Sequence, residues 1–406
     1  MTPVVFATPF LGFNTLRFIR AAAALPDVRL GLVTASPADA IPADLRPHIA
    51  AHYGIKDGQD PQQIADATRW LAQKLGGCHR LIGMFEQLQV PLGEVRDALG
   101  IHGMGAAAAR NFRDKAQMKD VLRGAGLPCA RHRLVASADA AAAFAAEVGY
   151  PIIIKPPAGA GSVSTHRVAD EAELRRAIGS MHVGPHNLAL CEEFMRGLER
   201  SFEVVSIEGR PVWHSLTMYD PPPIEVVRNP WIQWTVCLPR EVDDPAFDDA
   251  KAAGYAALRA LGMRTGISHM EWFRRVDGTV AISEIAARPP GAQIMRLMSF
   301  AGEVDFYAKW AKLVVHDTFE APERKYAVGA AFLRGQGQGR VTAVRGLDEA
   351  QQKIAGLVVE AHLPEVGMYP TGSYEGEGYV IVRHPETAVV QQALRDIINT
   401  VRVDLG

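Results

Sequence analysis

Two short apolar stretches separated by an Asp-Gly pair constrain the fold of this chain more than any other feature. The stretches are 267–273 (ISHMEWF) and 279–285 (TVAISEI), and Asp277-Gly278 lies between them. Asp-Gly between alternating apolar residues is a strong signal of a β-hairpin. The sequence therefore predicts that these two stretches pair as antiparallel strands.

The register of this hairpin brings two acidic residues together. With the Asp-Gly pair as a two-residue loop, Val276 faces Thr279, and pairing one for one puts Glu271 directly opposite Glu284. Carboxylates so placed repel each other unless a shared proton, a nearby Arg or Lys, or a divalent cation compensates. Magnesium is held by one or two carboxylates together with phosphate oxygens and water. Apolar neighbours such as Met270 favour burial, so we expect a metal site. The alternatives are a tolerated surface pair or a bulge that shifts the register by one.

Two residues near the carboxylates are candidates for contact with a substrate. The same register puts His269 opposite Ala286, on the face that carries Glu271, so His269 is either a substrate contact or a structural histidine. Arg288 follows the second strand in the sequence AARPPG. Its guanidinium can hold a phosphate or carboxylate through two hydrogen bonds, and the alternative is an ion pair with one of the two glutamates.

Composition restricts the class of protein in which such a site operates. A chain of 406 residues exceeds one ordinary core, so we expect two to four packed subdomains. A net charge of -2 shows no excess of basic residues of the kind that binds nucleic acid. No stretch is apolar for long enough to span a bilayer, and the first residues, MTPVVF, lack the pattern of a signal peptide. No CxxC pair occurs among the cysteines, so neither a disulfide framework nor a cysteine metal site is expected. We expect a cytoplasmic protein with no nucleic-acid or membrane partner.

Strand and helix alternate in the first hundred residues. Strands are predicted at 4–8, 29–34 and 80–84, with a helix at 15–24. This alternation indicates a small open α/β sheet. The turn after the first strand lacks the Gly-x-Gly-x-x-Gly fingerprint, so a dinucleotide site is not expected there.

A module of about eighty residues, the size of a small lid domain, follows this sheet. It contains a helix at 114–123, a strand at 150–156 that ends near Lys155, and a strand at 188–193. Between the strands, residues 157–162 form a loop of small residues whose backbone N–H groups can approach phosphate oxygens.

The middle of the chain predicts antiparallel strands from Ser201, followed by a long connection rich in Pro and Trp at 221–240. Trp231 and Trp234 lie on this connection as candidates for the wall of a substrate pocket. The alternative is that these indoles cap the core. From about Lys325 the chain predicts a C-terminal α/β lobe.

Several cationic residues are arranged as a phosphoryl-transfer site requires. Transfer of a phosphoryl group from ATP to a carboxylate brings two anions together, so catalysis depends on neutralisation by metal ions, Lys and Arg. The chain supplies Lys115 at a helix start, Lys155 at a strand end and Arg288 beside two carboxylates. Each signal is weak alone, and it is the ordered set that indicates an ATP site.

The order of these elements resembles the ATP-grasp superfamily over about residues 110–319. In that family a lysine, a second lysine at a strand end, a flexible glycine loop, a hinge strand and paired metal-binding carboxylates follow one another. The stretches that carry the resemblance are RDK (113–115), IIKP (153–156), AGAGS (158–162), EEFMRGLE (192–199), Glu271 and EIAARP (284–289). Within the superfamily the chain looks closest to the L-amino-acid ligases that make dipeptides.

The resemblance implies a role for each stretch. Lys115 and Lys155 would contact ATP phosphates, Glu271 and Glu284 would hold Mg²⁺ or Mn²⁺, and Arg288 would stabilise the transferred phosphoryl group with help from Lys155. The other nucleotide contacts would come from the loop, the hinge and a ribose-binding glutamate, which are Gly159, Gly161, Ser162, Glu192, Glu193, Phe194, Met195 and Glu199.

The resemblance also implies an architecture and an activity. We expect an α/β fold with an α+β ATP-grasp core: an N-terminal domain at 1–110, an ATP-grasp domain at 111–320 with a lid at about 127–192, and a C-terminal lobe at 321–406. The implied activity joins a small carboxylic acid to an amine through an acyl phosphate, in a protein that is a homodimer in many relatives. The alternatives are a purine-pathway ligase acting on a ribonucleotide and an ATP-binding module without turnover.

Overall fold

A computed structural model of the chain describes residues 1–159 and 164–406. Helices and strands alternate at both ends of the chain and antiparallel strands dominate the middle, so the predicted α/β class is confirmed. Across these described ranges, no helix is both long and apolar enough to cross a bilayer.

Parallel strands form the N-terminal sheet. The elements of this region are β1 (Thr2–Thr8), α1 (Phe13–Ala23), β2 (Val28–Thr34), β3 (Ile49–Gly54), α2 (Pro61–Leu75), β4 (Arg80–Ile82), α3 (Gln89–Leu99) and α4 (Ala106–Arg113). The strand order is β3-β2-β1-β4. Val4 and Phe6 belong to one buried cluster and Val5 to another, because successive side chains of a strand point to opposite faces. Helices therefore cover both faces of the predicted open sheet.

The next region is a small antiparallel sheet with helices on one face. Its elements are α5 (Lys115–Gly124), β5 (His132–Val135), α6 (Ala138–Val148), β6 (Ile152–Lys155), β7 (His166–Val168), α7 (Glu171–Ser180) and β8 (Ala189–Glu193). The strand order is β5-β8-β6-β7. Asp114 caps α5 by accepting from the N–H groups of Ala116 and Gln117, which fixes the helix start at Lys115. Lys155 is the last residue of β6 and lies beside β8.

Long antiparallel strands make up the middle of the chain. The elements are β9 (Gly197–Ile207), β10 (Arg210–Asp220), α8 (Pro223–Arg228), β11 (Trp234–Leu238), α9 (Asp248–Leu261), β12 (Gly266–Arg275), β13 (Val280–Ala286), α10 (Ile294–Gly302) and α11 (Phe306–His316). The long connection predicted at 221–240 was wrong, because it contains α8 and β11. The run WTVCL is fully buried and rich in β-forming residues, but its Pro-rich surroundings obscured that signal.

The C-terminal strands extend the same sheet. The elements are β14 (Ala327–Leu333), β15 (Gly335–Gly337), β16 (Val341–Arg345), α12 (Leu347–Ile354), β17 (Val358–His362), β18 (Gly378–His384), α13 (Thr387–Thr400) and β19 (Arg402–Leu405). The long sheet has the order β13-β12-β9-β10-β11-β14-β18-β17, and a smaller one has the order β15-β19-β16. The long sheet contains strands from both sides of position 320, the predicted boundary between the ATP-grasp domain and the C-terminal lobe. The division of the chain into domains therefore stays a prediction from sequence.

The hairpin of β12 and β13 has the predicted partners but a different turn. Glu271 pairs with Glu284 and His269 with Ala286, as expected. The loop holds three residues rather than two, because the N–H of Arg275 bonds to the carbonyl of Thr279 at 2.8 Å. A bulge between the pairs Glu271–Glu284 and Trp272–Ile282 then shifts the register back by one. The prediction of the loop was wrong, and the bulge cancels the error at the carboxylates.

Candidate active site

Carboxylates from neighbouring strands share one face of the long sheet. Glu271 on β12 lies opposite Glu284 on β13 and opposite Ser201 on β9. Residues directly opposite each other in a sheet share a face, and so do residues two apart in one strand. Glu199, two positions before Ser201, therefore joins Glu271 and Glu284 on that face. All three glutamates line a cavity of about 1510 Å³.

Lysines from α5 and β6 alternate with these carboxylates. Lys115 Nζ lies 3.1 Å from Glu284 Oε2, and Lys155 Nζ lies 3.8 Å from the same oxygen. Lys155 Nζ is also 2.9 Å from Glu192 Oε2, and Lys119 Nζ is 3.2 Å from Glu192 Oε1. We call Lys115, Glu284, Lys155, Glu192 and Lys119 the charge row. Sequence reasoning missed Lys119, although its spacing of four from Lys115 on α5 places both lysines on one helix face.

The charge row keeps its carboxylates ionised. Burial alone would raise the pKa of Glu284, but Lys115 and Lys155 outweigh that effect and hold it well below its usual range. Burial opposes the ionisation of Glu192 in the same way, and Lys119 and Lys155 still lower its pKa. For Lys155, the neighbouring carboxylates overcome burial and raise the pKa. The row is thus a set of fixed charges at neutral pH.

Glu199 differs from the carboxylates of the charge row. Burial raises its pKa well above the usual value, and the nearby charges of Glu271 and Glu284 raise it further. Its Oε2 atom is buried and, among the residues the structure describes, meets no hydrogen-bond partner. Such an oxygen is available to a hydroxyl or a cation of a ligand.

The hinge residues singled out by sequence all line the cavity, but their side chains point to different partners. The carboxylate of Glu193 binds Arg131 at 2.7 Å and Arg275 at 3.2 Å. The guanidinium of Arg167 lies 4.8 Å from the centre of the Phe194 ring, and Met195 is buried. A nucleotide-binding role for this segment stays a prediction.

Arg288 is paired with a glutamate that sequence reasoning did not identify. Its Nε and Nη2 atoms donate to Glu86 Oε2 at 3.2 and 3.1 Å. The alternative of an ion pair with Glu271 or Glu284 is therefore not what the structure shows. Nothing in the local sequence marks Glu86, which follows β4 in the N-terminal region and lies 202 positions from Arg288.

The start of the small-residue loop is tied to the same region. The carbonyl of Gly159 accepts from Lys115 Nζ at 2.9 Å and from Arg113 Nη1 at 3.0 Å. Gly161 and Ser162, also predicted to contact phosphate, lie outside the described residues.

His269 is paired with a buried carboxylate. Its Nδ1 atom lies 2.8 Å from Glu203 Oε1, and its Nε2 atom lies 3.9 Å from Glu271 Oε1. Glu203 is fully buried and also accepts from the hydroxyls of Ser201 and Thr217. Burial alone would lower the pKa of His269, but the hydrogen bond with Glu203 and the nearby carboxylate of Glu271 raise it to about 9. His269 thus lines the cavity while it also links these two glutamates.

The two candidate tryptophans occupy different environments. Trp231 lines the cavity with 54% of its surface exposed, whereas Trp234 lines it as a 2% exposed residue of β11. The Trp234 ring stacks on Phe332 at 4.9 Å, and its Nε1 atom donates to the carbonyl of Tyr374 at 2.7 Å. The expectation of two loop tryptophans is corrected: Trp234 is part of the sheet.

The carboxylate pair fits the preferences of magnesium. Within the described residues, no group of three or more His, Cys, Asp or Glu side chains is arranged to hold a metal. Two carboxylates suffice for Mg²⁺ where phosphate oxygens and water complete its shell. Glu271 and Glu284, directly opposite each other and facing the cavity, supply that donor set.

Comparison with known protein sequences gives consistent matches. The family model of the ATP-grasp domain matches residues 120–294. The L-arginine-specific L-amino acid ligase of Bacillus subtilis is 24% identical, over 63% of this chain and 62% of its own length. The D-alanine–D-alanine ligase of Desulforudis audaxviator is 30% identical, over 49% of this chain and 67% of its own length. The chain thus spans less than two thirds of the first of these relatives.

Comparison with solved structures shows the same fold. The L-amino acid ligase from Bacillus licheniformis has a TM-score of 0.76 and 17% identity, and the match covers 100% of this chain and 99% of that one. The N5-carboxyaminoimidazole ribonucleotide synthetase from Thermotoga maritima has a TM-score of 0.71 and 17% identity, with 100% of both chains covered.

Proposed function

The chain belongs to the ATP-grasp superfamily, and on that premise we propose that it is an ATP-dependent ligase that joins a small carboxylic acid to an amine. The observation that carries this proposal is the charge row beside the Glu271–Glu284 pair. Transfer of a phosphoryl group between two anions needs such an array of fixed charges, whereas a site that only binds nucleotide does not need the second carboxylate or Arg288.

In this proposal the ATP phosphates lie against the charge row. Lys115 and Lys155, which pair with Glu284 in the described structure, would turn to the phosphate oxygens. Glu271 and Glu284 would hold Mg²⁺, which neutralises phosphate charge when bound. Glu199 would accept a hydrogen bond from a ribose hydroxyl, because its buried oxygen requires a donor.

The reaction follows in two steps. An oxygen of the substrate carboxylate attacks the γ-phosphorus of ATP, the bond from phosphorus to the ADP oxygen breaks, and an acyl phosphate forms. The amine then attacks the acyl carbon, the carbon–oxygen bond to phosphate breaks, and the amine loses a proton as the amide forms. Arg288 would stabilise the phosphoryl group through its planar guanidinium. Closure of the lid, residues 127–192, would exclude water from the acyl phosphate.

We propose an amino acid as the carboxylate substrate. The L-amino acid ligases of Bacillus subtilis and Bacillus licheniformis, whose names state that class, support this choice. A second candidate is a ligase that acts on a ribonucleotide, which the likeness to the Thermotoga maritima enzyme supports. Activity would then depend on a substrate 5′-phosphate. The homodimer and the cytoplasmic location inferred from sequence stay predictions.

Phosphate release from Mg-ATP, measured against amino acids singly and in pairs, tests this function. Mass spectrometry of the products identifies any new amide. We expect release that requires an amino-acid pair and a product lighter than the pair by one water. Release that depends on a ribonucleotide instead would favour the second candidate. ATP binding without release for any carboxylic acid would contradict a ligase.

A further inference from the structure

Four of the nine glutamates that line the cavity have a Lys or Arg partner among the described residues. Ion pairs with Lys or Arg engage Glu86, Glu192, Glu193 and Glu284. Glu199, Glu225, Glu375 and Glu377 line the same cavity without such a partner, and of these Glu375 is oriented by a side-chain amide. Among the described residues, no Lys, Arg or His nitrogen lies within 4 Å of its carboxylate, and its side-chain contact is a hydrogen bond from the neutral amide of Gln293.

That hydrogen bond fixes the direction of the Glu375 carboxylate. Gln293 Nε2 donates to Glu375 Oε2 at 2.7 Å, and Gln293 Oε1 accepts from Arg17 Nη1 at 3.4 Å. Arg17 forms its ion pair with Glu360, whose Oε1 atom lies 3.9 Å from Arg17 Nη2. Gln293 itself has a φ of 57°, in the left-handed region, immediately before α10. Glu375 is thus held at the cavity wall by a neutral group and has no ion pair among the described residues.

The adjacent residue, Tyr374, lines the same cavity as Arg288 and Glu271. The Tyr374 side chain lies close enough to Arg288 and Glu271 for their charges to act on its pKa. Burial raises the pKa of Tyr374 to about 12, and the neighbouring Glu375 contributes to that increase. Glu375 is therefore the neighbour in sequence of a tyrosine that lines the same cavity.

We infer that Glu375 binds the ammonium group of an amino acid whose carboxylate the enzyme activates. This inference rests on the proposed ligase function and identifies the residue that recognises its substrate class. A partly buried carboxylate without a counter-ion is costly, and a substrate ammonium supplies the missing charge. Burial raises the pKa of Glu375 more than Gln293, the backbone of Ala292 and Arg17 lower it. A bound cation would lower that pKa and favour the ionised form, because an opposite charge stabilises a carboxylate.

Glu375 suits the carboxyl donor rather than the attacking amine. An amine must be neutral to attack the acyl carbon, and a neighbouring carboxylate raises the pKa of an amine and retains its proton. An ammonium held by Glu375 is therefore protected from reaction. Such protection also prevents the activated amino acid from being attacked through its own amino group while it is bound.

The test compares an amino acid with the analogue that lacks only the amino group, such as alanine with propionate. Both compounds are measured as carboxyl donors by phosphate release, and their binding is measured by equilibrium dialysis with Mg²⁺ and a non-hydrolysable ATP analogue. The variants are Glu375→Gln, which keeps the shape and removes the charge, and Glu375→Asp, which keeps the charge. Glu365→Gln, an exposed residue of the same lobe, is the matched control.

The wild type should prefer the amino acid by about 100-fold, because a hydrogen bond to a charged group that loses its partner costs roughly that factor. Glu375→Gln should reduce the preference to within a few-fold of unity while the KM for ATP stays constant, and Glu375→Asp should restore part of it. An unchanged preference in Glu375→Gln would overturn the role of Glu375. Preference in dialysis without turnover would support Glu375 and contradict the ligase. Equal binding of both compounds to the wild type would contradict the inference directly.

Discussion

Glu86 and Arg288, which lie 202 positions apart in the chain, are joined by two hydrogen bonds of 3.2 and 3.1 Å to one carboxylate oxygen. The other oxygen of Glu86 accepts from Arg113 Nη1 at 2.9 Å. Arg113 also holds the carbonyl of Gly159, at the start of the small-residue loop. One carboxylate from the N-terminal region therefore orients the arginine proposed for phosphoryl transfer and a second arginine that contacts the loop.

Removal of Glu86 should impair catalysis more than nucleotide binding. In Glu86→Ala, Arg288 loses the partner that fixes its guanidinium, so we expect kcat to fall by about 10- to 100-fold, as for a lost transition-state contact. The KM for ATP should change only a few-fold. Steady-state kinetics measure both, and Glu94→Ala, which breaks the exposed pair with Arg110, is the control. A loss confined to ATP affinity would show that Glu86 does not position Arg288.

Glu284→Gln should abolish turnover that depends on magnesium. The amide keeps the shape of the carboxylate but removes the negative charge that Lys115 and Lys155 stabilise. We expect kcat to fall on the order of 100-fold or more, because the metal would lose one of its two proposed carboxylates. Titration of activity with Mg²⁺ and circular dichroism together separate loss of the metal from loss of the fold. Near-normal activity at ordinary Mg²⁺ concentrations would contradict the metal assignment.

The hairpin shows what sequence can and cannot supply. Asp277-Gly278 marked the turn, and the alternating apolar residues marked both strands, so the predicted pairing of Glu271 with Glu284 was confirmed. The length of the loop was not fixed by Asp277-Gly278, because hairpin loops of two and of three residues both use glycine. The bulge at Ser283 has no local residue preference that signals it. With the three-residue loop alone, or with the bulge alone, Glu271 would not lie opposite Glu284.

Residues whose roles depend on distant contacts escaped prediction. Glu86 acquires Arg288 only when the N-terminal region packs against the end of β13, and Glu203 becomes the partner of His269 only through the pairing of β9 with β12. Glu375 belongs to a C-terminal loop without regular structure, where no periodic pattern indicates which side chain faces a cavity. Lysine at a strand end and paired carboxylates, by contrast, leave a signal in the local sequence.

The charge row should make stability depend on pH. The pKa of Glu192 is lowered in the folded protein by Lys119 and Lys155, in spite of burial. A depressed carboxyl pKa contributes stability above the unfolded value and loses it as the pH falls through the folded value. We therefore expect the free energy of unfolding to decrease below about pH 4.3, the ordinary value for Glu. Urea unfolding at a series of pH values measures this change.

Replacement of Lys119 tests whether Glu192 causes that dependence. In Lys119→Met, Glu192 keeps only Lys155, so we expect a loss of about 3 kcal/mol at pH 7 for a broken buried pair and a weaker dependence on acid pH. Lys353→Met, which removes the exposed pair with Glu349, is the matched control and should change stability by less than about 1 kcal/mol. The same acid slope in Lys119→Met as in wild type would show that other carboxylates dominate.

Substitution of the two tryptophans at the cavity wall should distinguish a residue that stabilises the fold from one that contacts substrate. Trp234 is 2% exposed, stacks on Phe332 and donates to the carbonyl of Tyr374, so Trp234→Ala should cost about 3–5 kcal/mol of unfolding free energy. Trp231 is 54% exposed on a segment that Arg334 anchors through three carbonyls, those of Val226, Asn229 and Ile232.

Trp231→Ala should therefore leave the free energy of unfolding within about 0.5 kcal/mol of wild type, as for most exposed positions. Its effect should be on substrate, because an exposed indole at a cavity wall presents apolar area that a ligand can cover. We expect a higher KM for the carboxylic acid or amine with an unchanged KM for ATP. Chemical denaturation and steady-state kinetics on the same two variants provide the comparison. If Trp231→Ala destabilised the protein as much as Trp234→Ala, Trp231 would be part of the core and not of the substrate pocket.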